Sequence, residues 1–303
     1  MPSDPLTDVL AVLAVRSTVS ASLRARGAWS IRFGSVALKM NALLAGSAVL
    51  VVEDGPPITL AAGDCWFLRE CRSYILASDV RVRPRLAGEV FRVGSNVTVG
   101  RGGTEAFLVG GAIELDAPDA HLLLDELPAV LHVPASAPGA ATMRWLLGRL
   151  GEEWSRPQAA SALVVDHLAQ LVFVEMLRAW LATDDDRTGW LRALGDRRIG
   201  AALRLVHGDP AHGWQLPELA AAAGMSRSSF ALRFKELVGV APLDYVLRWR
   251  MRLAAKALRT GVRSITEIAS QSGYRSESAF CNAFKRVVGE APQRYRRTQR
   301  LAG

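Results

Sequence analysis

Two short clusters of side chains in the last third of this chain have the chemistry to read the edges of base pairs. The first is Arg227, Ser228 and Ala231, with Leu232 and Arg233 beside them; the second is Glu277, Ser278, Cys281 and Asn282. An Asn amide can pair bidentately with adenine, a carboxylate can accept from the cytosine amino group, Ser serves either partner, and a small apolar group meets the thymine methyl. In both clusters the residues recur at one- and four-residue steps, so they share one face of a helix. Such a face is useful only if the surrounding elements hold it outward.

The elements around the clusters are built to do so, and they occur twice. Ser226, Phe230, Phe234, Gly239, Pro242 and Tyr245 recur fifty residues on as Ser276, Phe280, Phe284, Gly289, Pro292 and Tyr295. Ala220 and Gly224 recur at forty-nine, as Ala269 and Gly273, so the one-residue slip falls in a turn. Each copy reads as an Ala-rich helix stopped by a Gly. A turn follows, with Ser as N-cap of the next helix. Phe230, Phe234 and Leu237, and likewise Phe280, Phe284 and Val287, form a buried stripe at helical spacing, which leaves the clusters on the opposite face. Two copies with matched caps, aromatics and exits indicate paired helix-turn-helix motifs rather than ordinary helical hairpins. Between them Pro242 starts a basic helix from Leu243 to Thr260, with Arg248, Arg250, Arg252, Lys256 and Arg259, and Gly261 stops it. About 17 residues span about 25 Å, a strut suited to holding two reading helices in successive major grooves about 34 Å apart.

Charge follows the same division. The chain of 303 residues carries a net +8. From Asp196 to Gly303 there are 19 Lys and Arg against 8 Asp and Glu, a net of +11; the remainder has 18 against 21, a net of −3. A basic excess confined to the repeats is the footprint of phosphate binding.

The arrangement resembles the AraC/XylS family of bacterial transcription regulators over about Leu194 to Arg300. The segments that carry the resemblance are LAAAAGMSRSSFALRFKELVGVAP, YVLRWRMRLAAKAL and SITEIASQSGYRSESAFCNAFKRVVGEAP. The resemblance implies base reading by Ser228, Ala231 and Leu232 in the first helix and by Glu277, Ser278, Cys281 and Asn282 in the second. The family commonly has Arg where Leu232 stands; here the Arg follows at 233, so either the first copy reads less or its helix turns to bring Arg233 round. Arg296 and Arg297 are expected on phosphates. The expected partner is double-stranded promoter or operator DNA, with RNA polymerase added if the protein activates.

From Trp29 to about Leu115 the chain reads as short strands and turns: IRFGSVALKM, SAVLVV, ITLAA, CWFLRE and AFLVGGAIEL, broken by Gly, Asp-Gly and Pro-Pro steps. That pattern suggests a barrel or jelly roll. LLAGSAVLVVEDGPPITLAAGDCWFL and APDAHLLLDELPAVLHV resemble the cupin-type sensor domain that precedes AraC-type DNA-binding domains, over roughly Asp4 to Val133. Members of that group often carry His where this chain has Asn41 and Tyr74. None of the five histidines falls in the predicted core strands, so no metal and no cofactor is expected. An effector pocket is expected to be apolar and to involve Met40, Asn41, Trp66 and Tyr74, for a small apolar or aromatic molecule with one or two polar groups. A pocket filled by its own side chains is the alternative. Residues 141–182 read as two helices; Leu163, Leu168, Leu171, Val174, Leu177 and Leu181 form an apolar face that suits packing on the barrel, homodimerisation, or both.

The expected fold class is thus α+β in two domains: a β-barrel or jelly roll at 1–140, a helical dimerisation segment and polar linker at 141–189, and an all-α double helix-turn-helix domain at 190–303. An enzyme is disfavoured by the lack of a His-rich barrel site, GxSxG, P-loop or GxGxxG. A redox-responsive regulator using Cys65 and Cys71 near Arg69 and Arg72 is the other alternative; three cysteines argue against a disulfide framework. The N-terminus lacks a basic leader and no apolar run reaches membrane length, so the expected location is the cytoplasm, at the nucleoid.

Overall fold

The computed structural model describes residues 4–35, 38–53, 55–71, 73–91, 96–103, 105–115, 120–183 and 189–302. Its elements are α1 (Pro5–Val12), β1 (Arg16–Arg26), β2 (Ser30–Phe33), β3 (Lys39–Ala45), β4 (Ser47–Val52), β5 (Ile58–Ala61), β6 (Cys65–Leu68), β7 (Tyr74–Ala77), β8 (Arg85–Leu86), α2 (Ala87–Val90), β9 (Asn96–Val99), β10 (Glu105–Glu114), α3 (His121–Leu124) and β11 (Val130–Val133). Ten helices follow: α4 (Ala140–Ser155), α5 (Ser161–Leu181), α6 (Trp190–Gly195), α7 (Arg197–Gly208), α8 (Leu216–Ala222), α9 (Arg227–Val238), α10 (Pro242–Thr260), α11 (Ile265–Gln271), α12 (Glu277–Val288) and α13 (Pro292–Ala302). The chain divides into a β-rich unit, residues 14–116 with 120–184, and a helical unit, residues 1–13 with 185–303.

In the β-rich unit a six-stranded sheet runs β11-β6-β3-β10-β1-β9 and a five-stranded sheet runs β5-β4-β7-β2-β8. Their facing sides share one core that includes Leu23, Ile31, Leu43, Leu50, Trp66, Tyr74 and Leu108, as in a jelly roll. Strand alternation decides which side each residue serves. On β3 and β6 the cross-strand pair Asn41 and Trp66 belongs to the inner side, while Met40 pairs with Phe67 on the other. There Phe67 meets Phe173 of α5, ring centroids 5.8 Å apart. The Gly63-Asp64 corner is closed by its own carboxylate: Asp64 accepts from the Ala61 and Ala135 N–H groups at 3.1 and 2.7 Å and lies 2.9 Å from His132 Nε2. His132 therefore ties β11 to that corner.

The strands read from SAVLVV, ITLAA, CWFLRE and AFLVGGAIEL are present as β4, β5, β6 and β10. IRFGSVALKM is not one strand: it is divided between β2 and β3, and β3 runs on to Ala45. The longest strand, β1, was not expected. Its sequence, RSTVSASLRAR, is largely small or polar, yet it lies against β10 with a bulge between Val19 and Ala21. The helix α5 also departs from its expected single face: Leu168 and Leu177 are buried, whereas Leu163 is 58% and Leu171 50% exposed. The N-terminal α1, grouped by sequence with the barrel, packs on α7 and α10 of the helical unit. Residues 184–188 of the expected linker lie outside the described residues.

Candidate functional site

Each reading helix is fixed by the same local chemistry. Gly224 and Gly273 take left-handed φ of 61° and 78°, conformations that β-carbon-bearing residues resist, and so reverse the chain after α8 and α11. Ser226 Oγ accepts from Ser229 N–H and Ser276 Oγ from Ala279 N–H, both at 3.3 Å, capping α9 and α12 as expected. Behind each helix stands an aromatic column. Phe230, Phe234 and Tyr245 contact in sequence at 5.5 and 5.8 Å between centroids; Phe280, Phe284 and Tyr295 do so at 5.7 and 5.5 Å. The four phenylalanines are buried, each stabilising the unit by about 1.5–3 kcal/mol relative to an exposed side chain. The opposite faces are thereby left to solvent.

On α9 Arg227, Ser228, Leu232 and Arg233 are exposed and Ala231 is half-buried; on α12 Glu277, Ser278 and Asn282 are exposed and Cys281 is half-buried. Leu232 is 63% exposed. Arg233 does not turn toward that face in these contacts: it is paired with Asp196, the N-cap of α7, at 2.5 Å. Glu277 accepts from the Thr266 hydroxyl at 2.5 Å, an interaction with α11 that orients its carboxylate. Arg296 also differs from expectation. It is half-buried and donates to the Arg263 carbonyl at 2.6 Å, bracing the turn before α11, whereas Arg297 is exposed. Burial, and then the Glu277 charge, push the Cys281 thiol up.

The helix α10 is basic, as its sequence reads, and several of its basic residues hold the helical unit together. Arg250 donates to the carbonyls of Pro210 and His212, Lys256 to that of Ala11 at the end of α1, and Arg259 to the Tyr295 hydroxyl.

In the β-rich unit a cavity of about 410 Å³ opens between the two sheets, beneath α2. Asn41 and Tyr74 line it. Met40 and Trp66 do not: Met40 points to the outer side of the sheet, and Trp66 is sealed in the core. Sequence reasoning missed Lys39, Phe33, Phe91 and Gly110. Two signals were present: Lys39 and Asn41 are two apart on a strand, and a glycine pair interrupts AFLVGGAIEL, which marks a close approach. Cys65 and Cys71 are buried, and burial, with the neighbouring Asp64 charge, pushes the Cys65 thiol far up, away from the reactive thiolate form. Arg72, invoked to activate a thiol, lies outside the described residues. Among the described residues no three His, Cys, Asp or Glu side chains gather as a metal site, and no helix is long and apolar enough to cross a membrane.

Comparison with known proteins agrees with this geometry. The cupin family profile matches residues 4–182, and a helix-turn-helix domain profile matches residues 219–298. A putative AraC-like transcription regulator of Streptomyces antibioticus is 44% identical over 298 residues, 97% of this chain and 98% of that protein. A putative AraC-like regulator of Streptomyces lividans is 42% identical over the same shares. The HTH-type transcriptional regulator AlkR of Acinetobacter baylyi is 30% identical over 90% of this chain and 92% of that protein. The relatives are named as regulators rather than enzymes. This chain belongs to the AraC-like family of transcription regulators, with an N-terminal cupin-like domain and a C-terminal helix-turn-helix domain that binds DNA.

Proposed function

We propose that α9 and α12 enter successive major grooves of one operator, with Ser228, Ala231 and Leu232 reading the first and Glu277, Ser278, Cys281 and Asn282 the second. The observation that carries this is the pairing of two identically capped, identically backed helices with exposed polar faces at either end of one continuous helix, α10. Arg227 and Arg297 contact phosphates and fix register without reading sequence. Selection of binding duplexes from a random pool tests the reading. Enriched sites should carry two clusters of preferred base pairs about one helical turn apart; a single cluster, or none, counts against it.

Trp145 of α4 and Leu163 and Leu171 of α5 are exposed, and an apolar set of this kind supports homodimerisation through these helices. The cavity between the sheets is the proposed effector site, whose occupancy alters DNA binding. The protein works in the cytoplasm, where its DNA is, engages RNA polymerase if it activates, and catalyses no reaction.

A further inference from the structure

Most of the cavity wall is apolar. Phe33 and Tyr74 stack with centroids 4.5 Å apart and planes 4° from parallel, Phe91 meets Phe33 at 5.7 Å, and Leu76 and Leu108 fill the wall between. At about 410 Å³ it is at the lower end of the roughly 300–1,000 Å³ of small-molecule sites.

One part of the wall is different. Lys39 and Asn41, two apart on β3, point to the same side of the sheet. Both side chains run over Gly110 of β10: a Cβ there would stand 2.5 Å from Asn41 Oδ1 and 3.6 Å from Lys39 Cε. Glycine weakens a strand interior, and here it is what lets the two side chains lie on the neighbouring backbone. Asn41 is 6% exposed, and its amide nitrogen has no hydrogen-bond partner among the described residues. A buried donor left unmade is a standing cost, removed only when an acceptor arrives. Lys39 is half-buried with no carboxylate paired to it among the described residues, and burial lowers its pKa. The Ser20, Ser22 and Tyr74 hydroxyls also line the chamber, and Ser22 already donates to Asn96; no carboxylate lies among the lining residues, so one cation and one amide donor are left unanswered.

We infer that this cavity takes a small monocarboxylate with an apolar body, its carboxylate accepting from Lys39 Nζ and Asn41 Nδ2 while the body lies against Phe33, Tyr74, Phe91 and Leu108. The inference rests on the reading of the cavity as the effector site. A single cation and one amide match one carboxylate, and the aromatic wall excludes a heavily hydrated ligand.

The test is calorimetric titration of the full chain with octanoate and with 1-octanol, its neutral counterpart. Octanoate should bind about tenfold or more tightly than octanol, the worth of charge-assisted hydrogen bonds. In Lys39→Met and Asn41→Leu most of that preference should vanish while octanol still binds, which also shows that the variants fold. Equal affinities in the wild-type protein, or a preference that survives Lys39→Met, overturns the carboxylate assignment but leaves the cavity a ligand site. If neither probe binds the wild-type protein, the effector reading falls as well.

Discussion

In the first helix-turn-helix unit His207 Nε2 lies 2.7 Å from the hydroxyl of Tyr245. The imidazole is buried, stacked on Trp249 at 4.1 Å, and its Nδ1 lies 3.2 Å from the Asp8 carboxylate on α1. A carboxylate only accepts, so Nδ1 carries the hydrogen and Nε2 accepts from the tyrosine. In the second unit the equivalent Tyr295 accepts from Arg259 at 2.6 Å. The same repeat position is thus held by a neutral base in one copy and a fixed cation in the other.

That difference predicts a pH dependence. Burial lowers the His207 pKa; its hydrogen bond to Asp8 and the charges of Asp8 and Asp4 oppose the shift, and Arg252 adds to it. Below the unfolded value of about 6.5 the unfolded chain takes up a proton that the folded chain refuses, so stability falls as pH drops through that value toward the folded pKa. Urea midpoints at about pH 7.5 and 5.5 should therefore diverge more for the wild-type chain than for His207→Gln. An equal drop in both would show that His207 does not titrate as described.

Two apolar residues on the reading helices should behave oppositely. Phe284→Ala removes a buried ring from the second aromatic column and should cost about 3–5 kcal/mol in urea unfolding. Leu232→Ala should change stability by no more than about 0.5 kcal/mol, because the side chain is exposed, yet weaken binding to selected DNA. A large stability loss for Leu232→Ala would place it in packing and out of the groove.

Arg233 supplies a third expectation. Its exposed pairing with Asp196 should be worth about 0–1 kcal/mol. Asp196 also caps α7 through the Arg198 and Ile199 N–H groups, both at 2.9 Å, so Asp196→Ala should cost more, about 0.5–2 kcal/mol. Arg233→Ala should leave base preference intact in duplex selection. Loss of preference at one position would instead make Arg233 a reader.

The helical unit was legible because its rules are local. Ser226 and Ser276 cap where a Ser before an apolar periodic run should cap, and Gly224 and Gly273 turn where a glycine should turn. What Arg233, Arg250, Arg259 and Arg296 bond to was not legible, since each partner lies about 30 or more residues away and a long flexible cation carries no mark of its target. The jelly roll was legible in its hydrophobic strands but not in β1, where Thr18, Ser20 and Ser22 hide a strand that its neighbours define. For the cavity, Asn41 and Tyr74 were found through resemblance; Met40 failed because the pairing of β3 with β6 turns it to the outer side, and Trp66 because, though it faces inward with Asn41, tertiary packing seals it in the core.

The most direct test of the account is the affinity of the full chain for selected and random duplexes, compared for Asn282→Ala and Arg297→Ala. Asn282→Ala should lose about 1–3 kcal/mol on the selected duplex and almost nothing on random DNA. Arg297→Ala should weaken both alike and make binding less steep in salt by about one charge. If Asn282→Ala instead weakens both duplexes equally, α12 does not read sequence with that face.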